Sequence, residues 1–309
     1  MGNAKVGALS AVENVSRAKL VAAFAAIYIV WGSTYLGILF AIETIPPLLM
    51  AGTRFIIAGL ILFLLAKRRN YKPATVKQWR NAAIIGLLLL GGGNGAVVFA
   101  ERMVPSGIAA LLVAALPIFV VLFDWIRPGG RKPTLPIVAG LILGVVGLLV
   151  LVNPFAAVTN VRIAGVILLI LGEISWAAGT VLAQHVELPK SATLATAIET
   201  IAAGVVFLML STVTLEPMHF HLGQVSMKSL GGLLFLITFG SIIAFSSYVW
   251  LLKVSTPAKV ATYAYVNPII ALLLGWAFAG ESLSIRTIIA SAIIISAVAL
   301  ITVSRTSVT

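Results

Sequence analysis

The sequence predicts an all-α integral membrane protein. It should hold ten transmembrane helices as two inverted five-helix repeats, with both termini inside. Composition, the spacing of the apolar runs, and a set of residues that recurs halfway along the chain carry this reading. Hydrophobic residues make up 61% of the 309, and charged residues only 10%. Soluble domains sit near ~25% charged. A soluble fold has too little interior to hide this much apolar surface, so the solvent must be lipid.

The net charge of +12 suggests nucleic acid at first glance, but the basic residues sit in short clusters between apolar runs. That is the pattern of basic cytoplasmic loops, so the expected partner is the bilayer and not nucleic acid. The absence of cysteine excludes disulfides and thiolate metal sites. No polar stretch exceeds roughly 20 residues, which leaves no room for a soluble domain. Residues 1–19 are polar and mixed in charge, and no cleavable leader is evident.

A span needs about 20 apolar residues at a rise of about 1.5 Å. Ten runs qualify: 20–41, 47–66, 80–101, 105–126, 134–152, 162–183, 192–213, 229–251, 257–279 and 284–303. With the N-terminus inside, the inside segments hold sixteen of the 21 Lys and Arg, and the outside segments hold Arg102, Arg162, Lys228 and Arg286. Arg54 falls within a span. This bias sets N-in and C-in, and a miscount of one span would destroy it. The chain divides into an inner tail (1–19), a first repeat (20–152), an outer linker (153–161), a second repeat (162–303) and an inner tail (304–309).

The repeat is visible by shifting the chain on itself. A shift of 145 lays Trp31–Thr34 on Trp176–Gly179, Tyr28 on Glu173 and Arg54 on Glu199. A shift of 151 lays Pro117 on Pro268, Trp125 on Trp276, Gly129 on Gly280 and Arg102 on Lys253. Five spans per half is an odd number, so the halves enter the membrane from opposite sides. Two similar inverted halves can exchange conformations and expose a midplane site to each side in turn. That argues for a carrier. A passive channel and a membrane enzyme acting on lipid-like substrate are the alternatives, the latter weakened by nine scattered carboxylates.

"WGST" in the first span, Pro46-Pro47 followed by Arg54-Phe55 in the second, and Pro117 and Pro268 in the fourth and ninth appear in a five-plus-five order. In this the chain resembles the drug/metabolite transporter superfamily, with the EamA-type exporters as the nearest group. The resemblance covers nearly the whole chain. It implies a basket of spans 1–4 and 6–9 around a central cavity, spans 5 and 10 at the periphery, and a monomer in the cell's inner membrane. It also implies export of amino acids, other metabolites or toxic compounds.

Polar groups inside lipid must face protein or water. The first span carries Tyr28, Trp31, Thr34 and Tyr35 at helical spacing. The sixth carries Glu173, Trp176, Thr180 and Gln184, and the eighth Thr238, Ser241, Phe245 and Tyr248. Asn94 lies among glycines in the third. In the ninth, Tyr263, Tyr265 and Asn267 stand where the first repeat has Leu112, Ala114 and Leu116. Architecture repeats while a solute breaks symmetry, so these unshared residues are recognition candidates. Trp31, Thr34, Asn94, Glu173, Trp176, Thr180, Tyr248, Tyr263, Tyr265 and Asn267 are therefore expected to line the cavity for a small amphipathic or amino acid-like solute. A second reading makes them interfacial anchors and interhelical hydrogen bonds.

Glu173 either binds a substrate amine or a coupling proton, or donates as a neutral carboxyl to a neighbouring helix. Arg54 is expected to meet Glu101 or Glu43 at the outer end, or to snorkel to headgroups, and Glu199 to meet Lys253 at the inner end. Such pairs would act as gates. Pro117 and Pro268 read as kinks. Gly140, Gly144 and Gly147 in the fifth span should meet Ala292 and Ser296 in the tenth, and Gly280-Glu281 should end the ninth. His219 and His221 read as surface residues of an outer loop. No P-loop signature and no nucleophile triad occurs, so neither a cofactor nor enzymatic chemistry is expected.

Overall fold

The computed structural model describes residues 16–69, 72–100, 103, 112–130, 132–152, 162–279 and 285–303. Every regular element among them is helical. Lipid requires this, because a helix satisfies its own backbone groups without water. Helix α1 (17–41) joins Arg17–Ala25, a π-helical piece at Ala26–Val30 and Trp31–Ala41. Helix α2 is Pro47–Arg68. Helix α3 (76–100) joins Val76–Gly86, a π segment at Leu87–Asn94 and Gly95–Ala100. Helix α4 is Leu116–Ile126, α5 Leu135–Val152, α6 Ile163–Ala183 and α7 Ala192–Val213. Helix α8 (227–254) joins Met227–Phe235, a π segment at Leu236–Ala244 and Phe245–Val254. Helix α9 (257–279) is Pro257–Ala261 and Tyr263–Ala279 about a turn at Thr262, and α10 is Ile285–Val303.

Six of these helices, α1, α2, α3, α6, α7 and α8, are long and apolar enough to cross a membrane. Shorter apolar stretches fall in α4, α5 and α10. Local chemistry sets the starts. Thr75 and Gln78 form a capping box on α3, and Ser191, Ser226 and Thr256 accept from the first-turn amides of α7, α8 and α9. Helix α2 is capped from outside its own segment: Glu216 accepts from the Leu48 and Leu49 amides at 3.3 and 2.8 Å and from Ser211 Oγ at 3.0 Å. A carboxylate there complements the helix dipole and locks the loop after α7 onto α2.

The packing is pairwise. Helix α2 lies on α7, α5 on α10, α3 on α6 and α1 on α8, with α4 against α6 and α1 against α9. Advancing every helix by five places, cyclically, returns the same set of pairs. The first four of these pairs run antiparallel, whereas α1 and α9 run parallel, Tyr28 meeting Thr262 and Gly32 meeting Ile270. Gly52 and Gly59 of α2 approach Leu208 and Ile201 of α7, and Gly204 of α7 approaches Ile56. Small residues permit this approach where no hydrophobic drive between helices exists. Helices α3 and α7 meet backbone to backbone: a Cβ on Gly86 would lie 2.2 Å from the Glu199 carbonyl oxygen.

One expectation is corrected here, the partner of the α5 glycines. Pro117 sits in the first turn of α4, after a turn at Ala114-Ala115 that follows helical residues 112–113. Pro268 does lie inside its helix. Gly140 and Gly147 meet Ile301 and Ile294 of α10, whereas Ala292 and Ser296 are exposed. The glycine face is right and the opposing face is a bulky one, because glycine grooves accept isoleucine knobs. Gly280-Glu281 lies outside the described residues.

Gly86→Val is expected to destabilise the fold by about 1–3 kcal/mol through overpacking against α7 backbone. A melting temperature in detergent should fall by several degrees, while Gly231→Ala, which faces open space, should not lower it. Equal melting of both variants would refute the close α3–α7 contact.

Candidate functional site

The three π segments are where the bundle departs from regular helix; two of them supply wall to one cavity, and the third ends just before it. Wide turns re-aim side chains and leave carbonyls loosely bonded, which is why such bulges gather at functional sites. In α3 the bulge exposes Leu90, Gly93 and Asn94 to the cavity, and in α8 it exposes Gly240 and Ser241. In α1 it precedes Trp31 and Thr34, which also line it. The remaining wall comes from Tyr35, Ile38, Arg54, Phe55, Val97, Val113, Glu173, Trp176, Phe245, Tyr263 and Asn267. The cavity leaves about 80 Å³ of free space, which holds only a few waters.

An aromatic cluster forms one end of the cavity. Trp31 meets Trp176 edge-on at 5.7 Å, Tyr263 at 4.7 Å and Tyr248 at 5.2 Å between ring centroids. These are the distances at which aromatic quadrupoles attract. The indoles are fixed by hydrogen bonds: Trp31 Nε1 donates to Gly240 O at 3.2 Å, and Trp176 Nε1 to Tyr248 Oη at 3.1 Å. Thr180 Oγ1 hydrogen-bonds Tyr248 Oη in turn. Thr180 and Tyr248 thus stand behind the wall and orient Trp176 instead of lining the cavity themselves.

Beyond the cluster, side chains reach backbone carbonyls across the bundle. Gln184 Nε2 donates to Leu252 O and Ser255 O, both at 2.7 Å. Lys253 Nζ donates to Pro189 O at 2.6 Å and Lys190 O at 3.1 Å. Tyr28 Oη and Thr262 Oγ1 are 2.6 Å apart. These bonds tie α6, α8, α9 and α1 together on that side.

Charges are placed differently from the sequence reading. Arg54 does not stand at a helix end. It is buried in the cavity wall, its Nε donating to Ser241 Oγ at 2.8 Å and its guanidinium 4.7 Å from the Phe55 ring centre. Glu43 pairs instead with Lys228 at 2.9 Å, and Glu101 lies outside the described residues. Glu199 makes no ion pair with Lys253. Its backbone packs against α3 and its buried Oε2 is unbonded, but it lies within electrostatic reach of Lys253, whose ammonium group donates to carbonyls. Glu173 lines the cavity and is 5% exposed. It has no hydrogen-bond or ion partner among the described residues. Asn94 Oδ1 is likewise buried and unbonded.

The ninth helix splits the tyrosine pair. Tyr263 and Asn267 face the cavity, but Tyr265 points to α5, where its ring fills the space beside Gly144 and its hydroxyl is unbonded. Two positions along a helix is a turn of about 200°, so the pair could not share a face. Asn267, with its amide nitrogen assigned toward the backbone, donates to Tyr263 O at 3.1 Å and Tyr28 O at 3.0 Å. Thr238, expected in phase with Ser241, is exposed, because the π segment breaks the 3.6-residue phase. Phe55 and Gly240 were missed. Phe55 adjoins the one basic residue within a span, and Gly240 precedes the already noted Ser241, so both were within reach of a neighbour search.

Tyr265→Phe removes an unbonded buried hydroxyl and should leave stability equal or higher. Tyr248→Phe removes two hydrogen bonds and should cost about 1 kcal/mol. Thermal melts of both variants check this, and the reverse order would overturn the assignment.

Comparison with known proteins agrees with this architecture. The EamA-like transporter family model matches residues 18–153 and again 163–303. The chain is 41% identical over 290 residues to the uncharacterized inner membrane transporter YedA of Escherichia coli strain K12, covering 93% of this chain and 91% of that one. It is 29% identical to protein PecM of Dickeya dadantii, covering 88% of each chain. It is 26% identical to the uncharacterized transporter YvbV of Bacillus subtilis, covering 93% of this chain and 92% of that one. A solved structure titled "Crystal structure of protein" shares the fold at a TM-score of 0.75 and 19% identity, covering 95% of this chain and 100% of the other. The chain belongs to the EamA-like transporter family of the drug/metabolite transporter superfamily and is a multi-pass transporter of the inner membrane.

Proposed function

We propose that the protein is a secondary active carrier that exports a small organic metabolite, amino acid-like or amphipathic, by alternating access through the central cavity. It does so as ten spans in two inverted five-helix repeats, residues 20–152 and 162–303, with both termini inside and the protein a monomer. The observation that carries this reading is the correspondence of the two halves: α2 pairs antiparallel with its counterpart α7 and α5 with α10, while the counterparts α1 and α6, and α3 and α8, all supply wall to one cavity. A pseudo-twofold relation of this kind gives two end states of similar energy by exchange of the halves.

With the N-terminus inside, Ile38, Arg54 and Val97 lie on the outer side of Trp31 and Trp176. The cavity then reaches outward from the midplane, and the bonds of Gln184 and Lys253 close the inner side. Its small volume fits a contracted state that must widen to admit a solute. Trp31, Trp176 and Tyr263 supply the apolar surface; Thr34, Asn94, Asn267 and Glu173 supply the polar handles. The chemistry of the wall favours this over a lipid-modifying enzyme, because its single carboxylate has no acidic or histidine partner beside it.

Counterflow in proteoliposomes tests the reading. Unlabelled solute on the far side is expected to accelerate uptake of labelled solute several-fold, and Trp176→Ala to abolish the acceleration. Uptake indifferent to trans solute would mark a channel.

A further inference from the structure

Two opposite charges face the same cavity, and among the described residues neither has a counter-ion. Arg54 is 4% and Glu173 5% exposed. Among the described residues, the guanidinium has Ser241 on Nε alone. Neither Nη1 nor Nη2 donates to any described group. Glycine at 240 keeps this edge clear, since a Cβ there would come within 3.2 Å of Nη2. The described carboxylates near the start of α2 are occupied: Glu43 by Lys228, and Glu216 by the Leu48 and Leu49 amides and Ser211. Glu199 belongs to the α3–α7 contact and does not line the cavity.

A buried charge without a partner costs several kcal/mol. The two charges do not relieve each other, since no ion pair joins them within 4.0 Å. The guanidinium presents a free planar fork, which matches a carboxylate in bidentate fashion. The carboxylate of Glu173 lies in the same wall as Trp176, one helical turn away on α6. A solute that carries only an anion would face Glu173 unpaired, and one that carries only a cation would leave Arg54 unpaired. Phosphates fit poorly, because one cation and one carboxylate leave most of their charge unmatched.

We propose that Arg54 and Glu173 bracket a zwitterionic solute. Its carboxylate sits on the Nη edge of Arg54, which Ser241 orients; its ammonium group sits on Glu173; and its apolar part lies against Trp31, Trp176 and Tyr263. This rests on the reading of the cavity as the solute's site. It gives Arg54 a role in recognition in place of gating.

The test is ligand binding to the purified full-length chain, read as a thermal shift, which needs no transport. The twenty standard L-amino acids are applied first, then the carboxamide and the des-amino acid of the one that stabilises most. At least one amino acid is expected to stabilise the protein, and loss of either charge to weaken binding about tenfold or more. Arg54→Gln should erase the preference for acid over amide while keeping the preference for the amine. Glu173→Gln should do the converse, and Arg54→Lys should retain part of the acid preference. If the variants do not fold, the three wild-type ligands decide alone. No stabilisation by any amino acid, or equal binding of acid and amide, overturns the proposal. Binding with these preferences but without counterflow would sink the carrier reading and leave this one standing; counterflow of a solute lacking one charge would do the opposite.

Discussion

Lipid offers no hydrogen bonds, and this constraint shapes most of what the bundle does with its polar residues. Side chains that could have bonded water bond carbonyls instead. Ser33, Thr34, Thr196, Thr200 and Ser247 donate back to their own helices. Ser175 reaches Leu88 O of α3 at 2.8 Å, and Ser229 reaches Phe40 O of α1 at 2.8 Å. Asn267 tends two carbonyls near the α1 bulge and the Pro268 break. The groups left over are few. Glu199 Oε2, Ser246 Oγ and Tyr265 Oη lie away from the cavity, whereas Asn94 Oδ1, the carboxylate of Glu173 and the Nη edge of Arg54 border it together, the one place where several such groups converge among the described residues.

The same constraint explains the helix pairing. Without a hydrophobic drive between helices, contact depends on close fit, and glycines supply it at α2–α7, α3–α6 and α5–α10. The Glu216 cap then holds α2 to the loop after α7 from outside the membrane core. Helix α2 carries Arg54, so this cap, remote from the cavity, also sets where the guanidinium lies. In the proposed carrier cycle, motion between the halves would spare such fitted pairs. The carbonyl bonds of Gln184 and Lys253, which cost little to exchange for water, are the better candidates to open.

Much of this was legible in the sequence, and the misses have physical causes. Trp31, Trp176, Asn94, Glu173 and Tyr263 were found because a polar or aromatic residue deep in an apolar run has few other uses. The residues that fell elsewhere did so for geometric reasons. Tyr265 lies about 200° from Tyr263 around the helix, and Thr238 lost its phase to a π segment that propensity does not announce. Arg54 was read by depth along the span, which is visible in sequence, whereas its role depends on which face of α2 meets Ser241, which is not. Glu199 and Lys253 feel each other's charge without direct contact, since loop carbonyls at Pro189 and Lys190 hold the ammonium group, and loop placement is the least legible feature of all.

The central claim is that one cavity faces each side of the membrane in turn, and single cysteines test it most directly. The chain contains none of its own, so a cysteine at Val97 in the cavity wall and another at Ala183 near the carbonyl bonds would report without background. A membrane-impermeant thiol reagent is added from either side of oriented vesicles. The account expects Val97→Cys to react from outside only and Ala183→Cys from inside only, with any solute or condition that raises one rate lowering the other. Simultaneous labelling of both, unaffected by solute, would contradict it.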